Sequence, residues 1–394
     1  MSHAANMVPL EKLGEIISGS TPNTNIKDYW NGDIPWITPA DLTKHEGIYF
    51  KGSLRKITKA GYNSCSTRML PPGSIIFSSR APIGHCAVTA FPLCTNQGFK
   101  SIVPNENLDS VYGFFALTFF TPQIIARGRG ATFLEVSKDI IEDFRIPLPP
   151  LPEQKRIVAI LEKADRLRGL RRYALELSDT YLQSVFLEMF GEYLDMETPS
   201  RFSSILERPL RNGVFVKNDK YGLGTPVIWV DNLYHTISIE TERLRRAELS
   251  QKEIARFEVF EGDLLFTRSS LVREGVGQVN IVRKLAETTT FECHTIQARV
   301  KTDVVDPYYV LALYRSTFGK TAILQKSKTA TMTTIGQEDL GEVPCPIPPI
   351  DKQHEYARVV QKFEHLRVQQ REAERQAEHL FQTLLRRTFR GELS

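Results

Sequence analysis

The sequence predicts an α+β protein that is built twice: two similar α/β domains separated by two long helices, which pack on each other as an antiparallel coiled coil. Three observations lead to this fold class. An internal repeat with a period of about 195 residues runs through the chain. A proline cluster closes each copy of the repeat, and a long proline-free helical pattern follows each cluster. The 394 residues, 41% hydrophobic and 24% charged, have the composition of a globular protein.

The repeat is clearest around the proline clusters. Residues 130–154 align without a gap with residues 329–353, so that Ala131-Thr132 matches Ala330-Thr331 and Gln154 matches Gln353. Three further blocks recur in the same order: 34–42 with 225–233, 72–77 with 261–266, and 109–112 with 306–309. Conserved order and spacing within one chain predict two structurally similar halves related by a pseudo-two-fold axis.

Each half changes character at its proline cluster. The earlier part mixes short β-branched or aromatic runs with glycine, proline and asparagine turn signals, which is typical of an α+β domain. Proline fixes φ and removes a backbone donor, so the clusters at 147–152 and 344–349 mark boundaries. The predicted domains are therefore an N-terminal domain at 1–150, a central helix at 151–193, a C-terminal domain at 194–349 and a C-terminal helix at 350–394.

Both helical patterns carry a narrow apolar stripe. Each pattern spans about 35 residues, or roughly 50 Å at 1.5 Å per residue. With an apolar stripe this narrow, neither helix is expected to be stable alone. The chain must complete the second domain before the second helix begins, which favours an antiparallel coiled coil. The alternative is that each helix docks on its own domain. The predicted contact residues are Ile157, Ile160, Leu167, Leu170, Leu177, Tyr356, Val360, Phe363, Leu380 and Leu384.

Several protein classes are disfavoured. No run approaches the ~18 apolar residues of a membrane span, so we expect a cytoplasmic protein without membrane contact. The five cysteines form no C-x-x-C pair and the eight histidines are dispersed, so we expect buried thiols and no metal site. The net charge of +4 permits nucleic-acid binding without requiring it.

Several segments resemble catalytic or nucleotide-binding motifs but lack residues that those motifs require. The segment Phe318–Thr321 ends like a P-loop, but Tyr314 stands where the first glycine is needed. The segment Asp306–Tyr309 resembles the base-holding motif of amino-methyltransferases, yet it lacks the second proline and instead predicts a helix start. No G-x-G-x-x-G opens a βαβ unit. We therefore expect no catalytic residue and no cofactor in this chain.

Two-fold symmetric proteins match the symmetry of duplex DNA, so basic and hydroxyl-rich loops at equivalent repeat positions are candidate contacts. The loops 127–132 and 326–331 are such a pair, and 78–80 and 267–270 follow apolar runs. Solvated surface turns and sheet-capping arginines are the alternatives, while Trp36 and Trp229 are better explained as core aromatics. The candidate DNA-binding residues are Ser79, Arg80, Lys100, Arg127, Arg129, Thr132, Arg268, Ser269, Arg273, Lys326, Lys328 and Thr331.

These motifs resemble the DNA-specificity subunit of type I restriction-modification systems. The most specific are 34–37, 77–84, and 130–132 followed by the Pro147 cluster and Gln154; the resemblance covers essentially the whole chain. It implies that each domain recognises one half of an asymmetric bipartite DNA target, while the helices set the spacing and dock two methyltransferase subunits. Two restriction/translocase subunits complete such complexes, and S-adenosylmethionine, ATP and Mg²⁺ are expected on these partners. The sequence departs from the pattern at 271–275, which replaces 80–84 and carries extra residues.

Two other functions remain open. A coiled-coil scaffold that assembles partners without touching DNA would fit the low net charge. An enzyme that acts alone is disfavoured by the failed catalytic motifs. DNA binding through phosphates weakens steeply as salt rises, so a salt titration separates DNA recognition from a scaffold.

Overall fold

The computed structural model describes residues 6–43, 45–52, 55–129, 134–195, 197, 199–217, 220–234, 238–239, 241 and 244–392, without the side chains of residues 178 and 179. The chain divides into two compact units. Unit 1 contains Met1–Arg172 with Glu372–Ser394, and unit 2 contains Tyr173–Arg371. Each unit therefore includes one globular domain and a part of both long helices.

Unit 1 is built on a mixed five-stranded sheet. Its strands are β1 (Met7–Pro9), β2 (Gly14–Ser18), β3 (Trp30–Ile37), β4 (Tyr49–Phe50), β5 (Lys56–Ile57), β6 (Ile75–Phe77), β7 (Cys86–Thr89), β8 (Cys94–Thr95), β9 (Lys100–Pro104) and β10 (Arg145–Pro147). Its helices are α1 (Pro39–Thr43), α2 (Lys59–Asn63), α3 (Ser110–Ala126), α4 (Lys138–Asp143) and the first part of α5 (Leu151–Leu194). The main sheet has the order β2-β9-β6-β7-β4, beside a three-stranded sheet β5-β3-β8 and the pair β1-β10.

Unit 2 repeats this plan. Its strands are β11 (Ser200–Arg201), β12 (Arg211–Asn212), β13 (Tyr221–Ile228), β14 (Arg245–Ala247), β15 (Leu264–Thr267), β16 (Ser269–Ser270), β17 (Val279–Ile281), β18 (Thr290–Phe291), β19 (Thr295–Ala298), β20 (Lys328–Thr329), β21 (Thr333–Thr334) and β22 (Pro344–Cys345). Its helices are α6 (Gln251–Phe257), α7 (Pro307–Arg315), α8 (Thr317–Lys326), α9 (Gln337–Gly341) and the first part of α10 (Ile350–Phe389). The sheet orders β12-β19-β15-β17, β14-β13-β18 and β11-β22 correspond to those of unit 1.

The strand registers confirm the repeat residue by residue. In unit 1, β3 pairs with β5 through Ile34 and Ile57, and in unit 2, β13 pairs with β14 through Thr225 and Ala247. Both long strands carry an irregularity four residues earlier. The sequence block 34–42 therefore matches 225–233 because both segments form the same strand and the turn that follows it.

The repeated proline clusters are held by the same hydrogen bonds in both units. Tyr112 donates its hydroxyl proton to the Pro147 carbonyl at 2.7 Å, and Tyr309 does the same to Pro346 at 2.8 Å. The Gln154 carbonyl accepts from the Asp109 N–H at 2.9 Å, while its amide donates to the Pro149 carbonyl at 2.9 Å. Backbone groups next to proline lack regular partners, so buried side chains must satisfy them.

Gln353 does the same in unit 2. It accepts from the Asp306 N–H at 2.9 Å and donates to the Pro348 carbonyl at 2.7 Å. Both glutamines are buried. The repeated block thus fixes how each domain enters its long helix, which explains why these residues recur.

The long helices extend beyond the apolar patterns of about 35 residues that indicated them. Helix α5 has 44 residues and α10 has 40, corresponding to about 66 and 60 Å at 1.5 Å per residue. In unit 2 the Tyr181 ring stacks on Phe363, Phe186 contacts Tyr356, and Glu192 pairs with Lys352. The residue numbers of these contacts increase along α5 and decrease along α10, which confirms the antiparallel pairing.

Each long helix contributes its first half to one core and its second half to the other. The unit 1 core combines Ile157 and Leu161 of α5 with Phe381, Leu385 and Phe389 of α10. In unit 2 the roles are exchanged, and the core combines two residues of α10 with three of α5: Tyr356, Val360, Leu182, Phe186 and Phe190. The two units thus use opposite parts of the two long helices in their cores, as expected of an internal repeat.

Part of the predicted contact stripe is wrong. Ile157, Tyr356 and Val360 are buried, and Ile160, Phe363 and Leu384 are half-buried. Four residues that we expected in the contact are exposed instead: Leu167, Leu170, Leu177 and Leu380.

The error has a physical cause in the polar middle of the helix pair. In unit 1, Arg168 reaches Glu378 at 3.1 Å and lies 3.8 Å above the Phe381 ring. In unit 2, Glu364 and Arg367 are buried on α10, where Glu364 contacts Tyr308 and Arg283 of the globular domain. A prediction from apolar spacing leaves out these charged positions and assigns the exposed leucines beside them to the contact instead.

Within the part of the chain that the structure describes, no helix is both long and apolar enough to cross a membrane. The five cysteines are free thiols; Cys94 and Cys345 are buried as expected, while Cys65, Cys86 and Cys293 are half-buried. Burial raises the pKa of Cys94 to about 11 and that of Cys345 to about 12, which keeps both thiols protonated and unreactive.

Candidate nucleic-acid interface

In unit 1 the two predicted contact loops meet beside the end of β6. The buried run Ile75–Phe77 ends at Ser78, and the Val136 N–H then donates to the Ser79 carbonyl at 2.8 Å. Arg80 and Arg129 both form β-bridges with Glu135. Segments that are 49 to 55 residues apart in the sequence are therefore joined through Glu135 into one surface.

Unit 2 assembles the equivalent loops in the same way. The Ile335 N–H donates to the Arg268 carbonyl at 2.9 Å. Ser269 pairs with Thr334, and Lys328 pairs with the same Thr334, so that β16, β21 and β20 form a small sheet. Ser269, Thr334 and Lys328 thus occupy the positions of Arg80, Glu135 and Arg129.

The candidate residues of unit 1 are placed at different depths. Arg127 and Arg129 are exposed, and the Arg127 guanidinium lies 4.9 Å from the centre of the Phe144 ring. Arg80 is partly exposed. Ser79 is fully buried, so the expectation that its side chain contacts DNA is wrong; only its backbone supports the surface. Thr132 lies outside the described residues.

Lys100 is also buried, at 7% exposure, and the structure does not place it where it could reach a ligand. Its ammonium lies 3.7 Å from Glu135, and the Arg80 guanidinium lies 3.8 Å from the same carboxylate. Burial lowers the pKa of Lys100, and the neighbouring Glu135 opposes that effect. The two cations therefore fix a carboxylate at the centre of the surface.

The candidate residues of unit 2 are more accessible. Arg268 and Ser269 are half-buried, whereas Arg273, Lys326, Lys328 and Thr331 are exposed. Lys328 lies 3.4 Å from the Asp339 carboxylate, and Thr331 lies at the tip of the β20–β21 hairpin. Arg268 and Ser269 thus lie at the strand end, and Arg273 lies in the longer turn between β16 and β17. Lys326 ends α8, directly before the hairpin that carries Lys328 and Thr331.

The turn after the strand differs in length between the units. In unit 1 the Gly84 N–H donates to the Ser78 carbonyl at 2.9 Å, and in unit 2 the Gly277 N–H donates to the Thr267 carbonyl at 2.8 Å. Both glycines have positive φ, at 96° and 69°. The expected extra residues in unit 2 are confirmed, but Gly277 rather than Gly275 is the counterpart of Gly84.

Other sequence signals have structural roles. Asp306 caps α7 by accepting from the Tyr308 N–H at 2.8 Å, with Pro307 in the first turn, as expected for a helix start. Trp36 is buried in the core, as expected. Trp229 is only half-buried, and the Arg245 guanidinium lies 4.4 Å from its ring.

Among the described residues, the donor atoms of Glu292, Cys293 and His294 lie within 4.8 Å of one another and form one group that could hold a metal ion. The Glu292 carboxylate already accepts from the His294 N–H at 2.8 Å. In unit 1 the Asn96 side chain makes the equivalent contact with the Gly98 N–H at 2.9 Å. The position of Glu292 is therefore explained by the turn that it caps.

Unit 2 also contains a pocket of about 710 Å³ beside its long helices. Leu182 and Phe186 of α5 line one side, and Arg315, Ser316 and Lys320 line the other. In unit 1, Phe119 and Phe120 of the unbroken helix α3 contact Phe389 instead. In unit 2 the helix breaks at Ser316, which caps α8.

Sequence reasoning missed Glu135 and Asn96, which line a cleft of about 290 Å³ with Arg80, Ala81, Pro39 and Gly98. The search for contacts considered basic residues and small hydroxyls, so an acidic residue between them was passed over. The repeat alignment does not single out Glu135, because its neighbours Leu134 and Ser137 also differ from their counterparts Thr333 and Gly336.

The two equivalent domains agree with the result of a comparison with known protein families. The profile of the type I restriction modification DNA specificity domain matches residues 5–174 and 211–377, more than four-fifths of the chain. The chain belongs to this family. The two matches fall on the two halves of the repeat, so each unit carries one DNA specificity domain.

Curated members of the family are similar in sequence. The MjaIX specificity subunit of Methanocaldococcus jannaschii is 35% identical over 236 residues, which cover 59% of this chain and 51% of that protein. The EcoR124I/EcoR124II specificity subunit of Escherichia coli is 31% identical over 165 residues, which cover 40% of each. The matched part of the chain thus spans about half the length of these relatives. The EcoKI specificity subunit of Escherichia coli K12 is 24% identical, with 80% of this chain and 73% of that protein covered.

Solved structures share the fold. A chain from the study of complex assembly and conformational transition of the type I R-M system has a TM-score of 0.59 at 20% identity, covering 99% of both chains. The type I S subunit from M. genitalium has a TM-score of 0.55 at 12% identity, covering 99% of this chain and 97% of the other. At these identities the likeness is one of fold.

Proposed function

We propose that the chain is a non-catalytic, sequence-specific DNA-recognition subunit of a type I restriction-modification complex. Unit 1 would bind one half of a bipartite duplex target and unit 2 the other. Because the two candidate surfaces carry different side chains, the halves would differ in sequence and the target would be asymmetric. The whole complex would work in the cytoplasm.

The observation that carries this proposal is the equivalent assembly of two basic surfaces. In each unit a strand end and a hairpin that are distant in sequence are joined by the same backbone pairing, at Glu135 and at Thr334. The exposed cations Arg129 and Lys328 stand at the same place in both. Phosphate contacts position a protein on DNA, and base edges then specify the sequence, so one scaffold with variable side chains suits two half-targets.

Partner chains would supply the chemistry. Adenine methylation with S-adenosylmethionine would be performed by two methyltransferase subunits, and ATP- and Mg²⁺-dependent cleavage by two restriction/translocase subunits. Exposed apolar side chains on the long helices support such docking, since Leu170 and Leu177 on α5 and Leu366 and Val368 on α10 are open to solvent. The helices would also set the number of unread base pairs between the two halves.

The test is a binding selection from random duplex DNA with the full-length chain, alone and with its methyltransferase partner. We expect enrichment of one interrupted, asymmetric sequence. Equal affinity for random duplex and for every enriched sequence would contradict the proposal. So would methyl transfer by this chain without a partner, since the chain would then be an enzyme.

A salt titration with matched variants separates DNA recognition from a scaffold. Arg129→Ala and Lys328→Ala should each reduce the log-log salt slope by roughly 0.9, because each removes one phosphate contact. Lys12→Ala is the control, because Lys12 is exposed and lies away from the candidate surface. It precedes β2, whose first residue Gly14 pairs with Pro104, and Pro104 is at the opposite end of β9 from Lys100. A flat salt response in the wild type, with no effect of either variant, would favour the coiled-coil scaffold.

A further inference from the structure

The strongest unassigned feature is the charged triad at the centre of the unit 1 surface, formed by Arg80, Lys100 and Glu135. The side chains of Arg80 and Glu135 are 39% and 42% exposed, whereas that of Lys100 is 9% exposed. The carboxylate is held at 3.8 Å by the guanidinium and at 3.7 Å by the ammonium beneath it. It faces the cleft of about 290 Å³ that Arg80 and Asn96 also line.

The carboxylate retains capacity for a ligand. An ionised carboxylate has about four acceptor positions, and the two cations engage one oxygen each. Arg80 carries five donors in a planar fork, so it can keep Glu135 and still donate elsewhere. Lys100 is too deeply buried to reach a ligand, and its role is to hold Glu135.

Unit 2 lacks all three charges at the equivalent positions. Ser269 pairs with Thr334 as Arg80 pairs with Glu135. Ile75 pairs with Ile102 in unit 1, and its counterpart Leu264 pairs with Ala298 in unit 2, so Ile102 and Ala298 are equivalent. Lys100 lies two residues before Ile102, and it therefore corresponds to Ile296. The triad is thus present as a whole in one unit and absent as a whole in the other, as expected of side chains that act together.

The chemistry of the triad matches one base pair. In the major groove a C·G pair presents the cytosine N4 amino group as a donor next to the O6 and N7 acceptors of guanine. A carboxylate accepts from cytosine N4, and arginine donates to guanine O6 and N7. An A·T pair fits less well, because the adenine N7 acceptor beside its amino group would repel the carboxylate.

We propose that Glu135 and Arg80 together read one C·G base pair in the half-target of unit 1, and that Lys100 is the positioning residue that orients the carboxylate. The inference rests on the proposed function and names the base pair that one of its two surfaces selects. The neutral Ser269 and Thr334 of unit 2 would read their half-target by a different pattern.

The test compares targets that the full-length wild type, Glu135→Gln and Glu106→Gln select from random duplex DNA. Glu106 is an exposed carboxylate after β9, at the opposite end of that strand from Lys100, so its variant removes the same charge elsewhere. We expect Glu135→Gln to lose preference for C·G at one position by roughly 5- to 150-fold, the equivalent of 1–3 kcal/mol. All other positions should stay unchanged, and Glu106→Gln should select the wild-type target.

Lys100 is tested at the same position of the target. Lys100→Met should weaken the preference for C·G, and Lys100→Arg should restore it, because either cation can hold the carboxylate. A merely structural role for Lys100 would lower stability in Lys100→Met without a change confined to one base pair.

Two outcomes overturn the inference. If Glu135→Gln raises affinity for all duplexes alike and selects an unchanged target, Glu135 only repels phosphates. If the wild type selects a bipartite target in which no position depends on Glu135, the triad does not read bases. A wild type that selects no sequence at all would instead refute the proposed function.

Discussion

Replacing Gln353 by alanine should destabilise unit 2 by about 3–5 kcal/mol. The side chain is fully buried, and it satisfies the Asp306 N–H at 2.9 Å and the Pro348 carbonyl at 2.7 Å. Each buried backbone group left without a partner costs about 1–3 kcal/mol. The vacated volume adds roughly 1 kcal/mol, and partial entry of water would offset some of the total.

Urea unfolding measures the loss, and hydrogen exchange locates it. Exchange should accelerate at the first turn of α7, whose N-cap is Asp306, while the first turn of α3 stays protected. Gln154→Ala should give the mirror result in unit 1. Gln361→Ala is the control, because Gln361 is exposed on the same helix as Gln353. If Gln353→Ala lies within 0.5 kcal/mol of this control, a range typical of surface substitutions, the reasoning about the proline clusters is wrong.

Three further predictions concern contacts, the helix pair and pH. Arg80→Ala should relax specificity at one position at a cost of roughly 1–3 kcal/mol, whereas Arg129→Ala should weaken all sequences about equally; binding selections and affinity measurements distinguish them. A double-mutant cycle on Arg168 and Glu378 should give a coupling of about 0.5–1 kcal/mol, and strict additivity would contradict the polar contact. Burial lowers the pKa of Lys320 to about 8, so the ammonium destabilises the folded chain below that pH. Between pH 8 and 10.5 the free energy of unfolding should therefore rise by about 1–2 kcal/mol more in the wild type than in Lys320→Met, after allowance for solvent screening; equal slopes would contradict this.

The repeat made most of the fold predictable from the sequence. The blocks that recur are those with demanding local requirements: Tyr112 and Tyr309 bind proline carbonyls, and Gln154 and Gln353 satisfy the neighbouring backbone. Such residues have few substitutes, so they remain recognisable while the rest of each half diverges.

The register of the helix pair could not be predicted from apolar spacing. Arg168 and Glu378 are paired between the two helices in unit 1. In unit 2, Glu364 and Arg367 are buried on α10, and Glu364 contacts Tyr308 and Arg283 of the globular domain. Charged residues are ordinarily assigned to the solvent face, so only a structure reveals that these positions are covered.

The candidate surfaces were predicted in part. Arg129 and Lys328, in basic loops at matching repeat positions, are exposed, and their contact with DNA stays a prediction. Burial of Ser79 and Lys100 depends on how the strand end packs against the hairpin, which no local pattern encodes. The central position of Glu135 likewise follows from pairing between segments far apart in the sequence.

The most direct test of two independent reading domains is a chain in which residues 199–349 are replaced by a second copy of residues 6–150. The junctions at 150 and 349 are matched, because Gln154 and Gln353, in the first turn of the two helices, donate to equivalent proline carbonyls. Selection from random duplex DNA should return an inverted repeat in which both halves equal the unit 1 half of the wild-type target. A target identical to that of the wild type, or one with unrelated halves, would contradict the division of recognition between the two units.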